Sequence, residues 1–101
     1  MRRRAVRWSA KAEADLAEIV AVIAADSPQR ARAFAARLLG ACARLGAFPA
    51  SGRKVPELSH LEPSPREIII GDYRILYRVG TPVVEIAAVI HGRRLLLPKQ
   101  D

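Results

Sequence analysis

Cysteine and aromatic residues are scarce in this chain, with one Cys, one Trp, two Tyr and two Phe, and each shortage removes a class of function. The lone Cys42 builds no disulfide framework, and inside an apolar helical stripe it reads as a small buried hydrophobe rather than a nucleophile. With His60 and His91 on different segments and no ligand spacing among the three, no metal set is read. Trp8, Phe34 and Phe48 fall at expected core or loop positions, which leaves no interleaved aromatic platform for stacking single-stranded bases. The longest apolar run, IVAVIAA at 19–25, is far short of the roughly 20 residues of a membrane span. The basic start MRRRAVRW has no apolar stretch behind it of the kind a secretory signal carries. No glycine loop of the phosphate-binding kind occurs, and no cofactor is expected. These shortages describe a soluble protein of the reducing cytoplasm with no membrane partner.

What the chain has is apolar mass and positive charge. Its 101 residues are 50% hydrophobic, enough for one layered core and too few for a second domain, so residues 1–101 are expected to form one unit. The formal net charge is +7 with a pI near 10.8, a field that favours acidic or polyanionic partners and weakens with salt. Residues 9–26 set Lys11 against Glu13, Asp15, Glu18 and Asp26. The rest of the chain is therefore more basic than the total.

RAVRW at 4–8 alternates and carries β-formers, giving an expected strand within 1–8. Ser9 is placed to cap a helix over 9–26, where Leu16, Ile19, Val20 and Ile23 form an apolar stripe opposite Asp15 and Glu18. DSPQ interrupts it. Ser27 followed by Pro28 starts a second helix over 27–46, because proline at the first helical position forfeits no hydrogen bond. Ala31, Phe34, Ala35, Leu38, Cys42 and Leu45 supply its buried side, and Gly46 with Pro49 ends it. So short a break predicts an antiparallel helix hairpin. Arg30, Arg37 and Arg44 line up beside the apolar stripe as a basic ridge. Residues 47–65, rich in proline and serine, read as a long loop with Arg53 and Lys54 next to a flexible glycine.

Residues 66–91 read as an antiparallel sheet. Gly71-Asp72 is a two-residue turn that pairs Ile70 with Tyr73 and Ile68 with Ile75. GTPV at 80–83 makes the next turn and sets Val79 against Val84, Tyr77 against Ile86, Arg78 against Glu85, Ile75 against Ala88 and Tyr73 against Ile90. A slip of one residue would bury Glu85 among the tyrosines. Alternation then puts Tyr73, Ile75, Tyr77 and Val79 on a face covered by the helices. Arg74, Leu76, Arg78, Glu85, Ala87, Val89 and His91 share an open one. The fold class expected is α+β: an N-terminal strand, a helix hairpin, and a three-stranded antiparallel meander packed on the helices, with a tail over 92–101.

The order of strand, helix hairpin, loop with GR and then REI, YRILYRV and VEIAAVIHGRRLL resembles the RelE/ParE superfamily of type II toxin–antitoxin toxins over nearly the whole chain. WSAKAEADLAEI, YRILYRV at 73–79 and IHGRR at 90–94 carry the likeness. The resemblance implies a cytoplasmic protein in a hetero-oligomer with a cognate antitoxin, and one of two activities. RelE-like members cut messenger RNA on the ribosome, whereas ParE-like members poison DNA gyrase without chemistry of their own. A ribonuclease needs a proton acceptor, an acid and phosphate-binding cations, for which Arg74, Arg78 and His91 are the candidates, with Glu67 and Glu85 nearby. Against the RelE pattern, Ile69 and Ile70 occupy a strand end where that lineage tends to be basic, Lys54 stands alone in a thin lysine loop, and no tyrosine follows HGRR. VIHGRRLL is closer to the ParE ending, so the expected activity is gyrase binding, with messenger-RNA cleavage as the alternative. A small basic nucleic-acid-binding protein is a second alternative. Target or antitoxin contacts are expected at Arg53, Lys54, Arg66, Arg74, Arg78, His91, Arg93 and Arg94. The run Leu95 to Leu97 is expected to pack on the domain or a partner.

Overall fold

A computed structural model describes residues 3–94; the three leucines of the tail lie outside them. Strand β1 (Ala5–Trp8) leads into helix α1 (Ala10–Asp26), capped by the Ser9 side chain, which accepts from the Ala12 N–H. Ser27 ends this helix and caps the next, accepting from the Arg30 N–H ahead of Pro28. Helix α2 (Pro28–Ala43) tightens into a 3-10 turn at Arg44–Gly46. The sheet then forms from β2 (Arg53–Lys54), β3 (Arg66–Ile70), β4 (Tyr73–Val79) and β5 (Val83–His91) in the spatial order β1-β5-β4-β3-β2.

Two strands join the expected meander. β1 pairs parallel to β5, from Ala5 opposite Val83 to Trp8 opposite Ile86. β2 lies inside the segment expected to be loop, pairing Arg53 with Glu67 and Lys54 with Arg66. Two residues are too few to show an alternation, which is why sequence did not mark it.

The β3–β4 register is as expected, and Gly71 at the turn has φ +58°, open to glycine at no steric cost. On β5 the expected pairs hold from Val79–Val84 to Tyr77–Ile86 and then slip. Leu76 faces Ala88 while Tyr77 faces Ile86, so Ala87 is an extra residue in a β-bulge. Ile75 therefore opposes Val89 rather than Ala88, and Tyr73 opposes His91 rather than Ile90. Helix α1 pins the bulge. Ser9 donates its backbone N–H to the Ile86 carbonyl at 2.9 Å and its hydroxyl to the Ala87 carbonyl at 3.1 Å, and Asp15 accepts the Val89 N–H at 3.0 Å.

The bulge inverts the alternation beyond it. Val89 joins the helix-side core with Ala12, Leu38, Cys42, Leu45, Ile75, Tyr77, Val84 and Ile86, while Ala88 and Ile90 cross to the other face. That other face is not open at its centre. Val55 is fully buried against Leu76, Ala88 and Ile90, with Leu58 of the Pro56–Leu58 turn packed on them. A lid drawn from the expected loop thus makes a second, smaller core.

Tyr77 anchors the start of that lid from the helix side. Its hydroxyl accepts the Gly52 N–H at 2.9 Å and donates to the Pro49 carbonyl at 2.8 Å. A Cβ on residue 52 would sit 2.5 Å from the Glu67 carbonyl oxygen and 2.6 Å from the Tyr77 hydroxyl, so only glycine fits without a shift. Burial pushes the Tyr77 hydroxyl pKa up, with the Gly52 N–H opposing. Burial likewise pushes the Cys42 thiol up to about 12, which keeps it protonated and inert.

Candidate functional site

Arg74 was expected on an open face, and the structure corrects this: its side chain is 5% exposed. The lid brings Glu57 over it, and strand β3 presents Glu67 beside it. The Arg74 Nε donates to Glu67 Oε1 at 2.6 Å, while Nη1 and Nη2 grip both Glu57 oxygens at 2.8 and 2.7 Å. Nη1 also donates to the Arg94 carbonyl at 2.9 Å. Paired bonds to Glu57 first, and Glu67 second, raise the guanidinium pKa against the opposing effect of burial. Glu67 is fully buried and takes a second cation, Arg53 Nε at 2.7 Å. No buried side-chain polar atom is left unpartnered among the described residues. The cluster ties three segments together: the lid, the sheet and the turn after β5.

Arg78 leaves β4 on the same side but lies beyond the lid and is 65% exposed. It pairs with Glu85 at 3.5 Å, which also holds Arg7 at 3.6 Å. Arg78, Lys54 and half-buried Arg66 line a hollow of about 220 Å³ closed by Glu62, Pro63 and Ser64. Arg66 donates Nη1 to the Gly52 carbonyl at 2.7 Å.

His91 was expected beside Arg74, and the bulge places it on the helix side instead. It stacks edge-on to Tyr73, ring centroids 5.7 Å apart, and shares a hollow of about 320 Å³ with Asp15, Glu18, Ile19, Tyr73 and Arg94. Its Nδ1 accepts the Arg93 N–H at 3.2 Å, and its carbonyl accepts the Arg94 N–H at 3.0 Å. Arg93 and Arg94 are both exposed. The expected open face that Arg74, Ala87 and His91 were to share therefore does not exist.

A groove that sequence did not single out runs along edge strand β1. Val6, Trp8, Leu16, Val20 and Leu39 line about 650 Å³ of mostly apolar space, with Arg7 and Glu13 also on the wall. Leu39 carried the one legible signal, an apolar residue next to Leu38 but off the α2 stripe. Leu16 and Val20, expected as core, are only half-buried because they face this groove. On α2, Arg30 and Arg37 of the ridge are exposed around a separate hollow of about 450 Å³ near Asp72, and Arg44 is exposed beside Phe48. Among the described residues no three His, Cys, Asp or Glu side chains gather as a metal set, and no helix is long and apolar enough to cross a membrane.

Comparison with known proteins points one way. Residues 6–96 match the family model of the ParE toxin of type II toxin–antitoxin systems, parDE. The chain is 36% identical over 96 residues to the candidate toxin Y4kP of Sinorhizobium fredii (strain NBRC 101917 / NGR234), covering 93% of this chain and 94% of that protein. Its fold is similar to a structure of the chromosomal ParDE system from P. aeruginosa, with a TM-score of 0.69 at 20% identity over 88% of this chain and 96% of the other.

Proposed function

Taking as premise that the chain belongs to the ParE toxin family of type II toxin–antitoxin systems, we propose that it arrests growth as a binding protein directed at DNA gyrase. The observation that carries this over a ribonuclease is the state of Arg74. All three guanidinium nitrogens are committed to Glu57, Glu67 and the Arg94 carbonyl. A cation so committed is not free to take charge developing on a scissile phosphate. His91, the candidate proton acceptor, lies across the sheet from the second-face cations. Binding chemistry needs neither.

A cognate antitoxin is the proposed masking partner in the cytoplasm, forming a hetero-oligomer. The β1 groove suits an apolar peptide face laid against an edge strand, and the surrounding positive field suits a segment whose polar side is acidic. Leu39→Glu, at an exposed groove position, should weaken that complex without unfolding the toxin.

The deciding experiment puts purified toxin with gyrase and, separately, with ribosomes and messenger RNA. Loss of supercoiling at stoichiometric toxin with RNA intact is the expected result. Codon-positioned cuts that disappear in His91→Ala would replace this reading with the ribonuclease one.

A further inference from the structure

The hollow at the far end of the sheet differs in kind from the Arg74 cluster, although both are built from strand cations. Lys54 and Arg66 stand directly opposite each other on β2 and β3, a like-charge pairing that costs stability in an antiparallel ladder. Among the described residues no carboxylate forms an ion pair with either. Lys54 makes no side-chain hydrogen bond or ion pair among the described residues, and Arg66 spends one donor on a backbone carbonyl. Arg78 brings a third cation to the same space, held only at 3.5 Å by Glu85. Glu62 lines the hollow, yet it forms no ion pair with any of the three.

We propose that this hollow is a phosphate-binding site that seats one backbone phosphate of a polynucleotide. Three cations line about 220 Å³, a space of phosphate scale, with two arginine forks suited to paired phosphate oxygens. The lining has no aromatic ring to stack on a base and no side-chain amide to read one. Contact is therefore to the backbone and indifferent to sequence. The site stands apart from the gyrase reading, since it requires only that the target carry nucleic acid, and either can fail without the other.

The test uses the full chain, a short mixed-sequence DNA single strand and fluorescence anisotropy at low salt. Lys54→Ala with Arg78→Ala, both at exposed positions, should weaken binding by roughly tenfold or more and reduce the slope of affinity against salt by about one phosphate contact. Arg30→Ala with Arg37→Ala removes the same charge from the α2 ridge and should weaken it by no more than about threefold. Inorganic phosphate should shift the Arg78 Nε–H and Lys54 resonances in NMR spectra of the wild-type chain. Equal losses in the two double variants would reduce the site to a general positive field and overturn the proposal. An acidic peptide of matched length and charge that competes as well as the DNA would overturn it too, by making the ligand a carboxylate. Unmoved resonances under phosphate would do the same.

Discussion

Arg74 and Arg78 leave the same strand, one helical lid apart, and end in opposite circumstances. The first is 5% exposed between two carboxylates, and the second is 65% exposed and 3.5 Å from one, at the limit of hydrogen-bond distance. Nothing intrinsic to β4 separates them. The difference is made by Val55 and the Pro56–Leu58 turn, which cover the middle of the second face and stop short of its end. A basic strand face is thus two regions: one where arginine serves the fold, and one where it remains available to a partner.

The largest expected effect comes from breaking the covered region. Arg74→Ala leaves Glu67 buried beside only one remaining cation, and removing one member of a buried ion pair typically costs about 3–5 kcal/mol. Arg78→Ala should change stability by about 0.5 kcal/mol or less, as exposed charges usually do. Urea unfolding of the two variants side by side measures the contrast, and equal values would erase it.

Next in size are changes to what fastens the lid. Gly52→Ala forces atoms apart at the Glu67 carbonyl and the Tyr77 hydroxyl, and such overpacking typically costs about 1–3 kcal/mol. Tyr77→Phe strands the buried Gly52 N–H, for which a loss of about 1–3 kcal/mol is expected. If these loosen the lid alone, amide exchange at residues 55–58 should quicken before exchange in α2 does. Asp15→Ala acts across the sheet by freeing the Val89 N–H at the bulge, and should cost about 1–2 kcal/mol with heightened exchange confined to β5.

The smallest effect concerns pH. Tyr77 and Cys42 both have pKa values raised by burial, Cys42 from 9.0 to about 12. A raised folded-state pKa means stability that is complete below the ordinary pKa and is lost as pH rises toward the folded one. Thermal stability should therefore decline above about pH 9, and Cys42 should react with a thiol reagent at mild pH only as fast as the protein unfolds. A rapid reaction in the native state would show the core to be open.

The helix side of this comparison was legible in the sequence and the lid side was not. Capping serines, Pro28, the α2 stripe and the Gly71-Asp72 turn are local signals, each read within a few residues, and each element stands where those signals put it. The bulge at Ala87 depends on Ser9 and Asp15, more than seventy residues earlier, and no local pattern on β5 announces it. That one extra residue moved His91 away from Arg74. The lid depends on Glu57 meeting Arg74 across 17 positions of sequence, from a segment with no period to read. Arg53, Lys54, Arg66 and Arg78 were legible as candidate contact cations, but the grouping of Lys54, Arg66 and Arg78 around one hollow, with Arg53 and Arg74 drawn to Glu67 instead, arises only in the fold.

The most direct measurement of the division between the two regions is side-chain Nε–H exchange of Arg74 and Arg78 followed by NMR in one sample. The Arg74 Nε–H, bonded to Glu67 under the lid, should exchange slowly and only through unfolding of the lid, while that of Arg78 exchanges at the rate of a solvated guanidinium. Equally fast exchange at both would contradict the closed cluster and return Arg74 to the set of cations free for a phosphate.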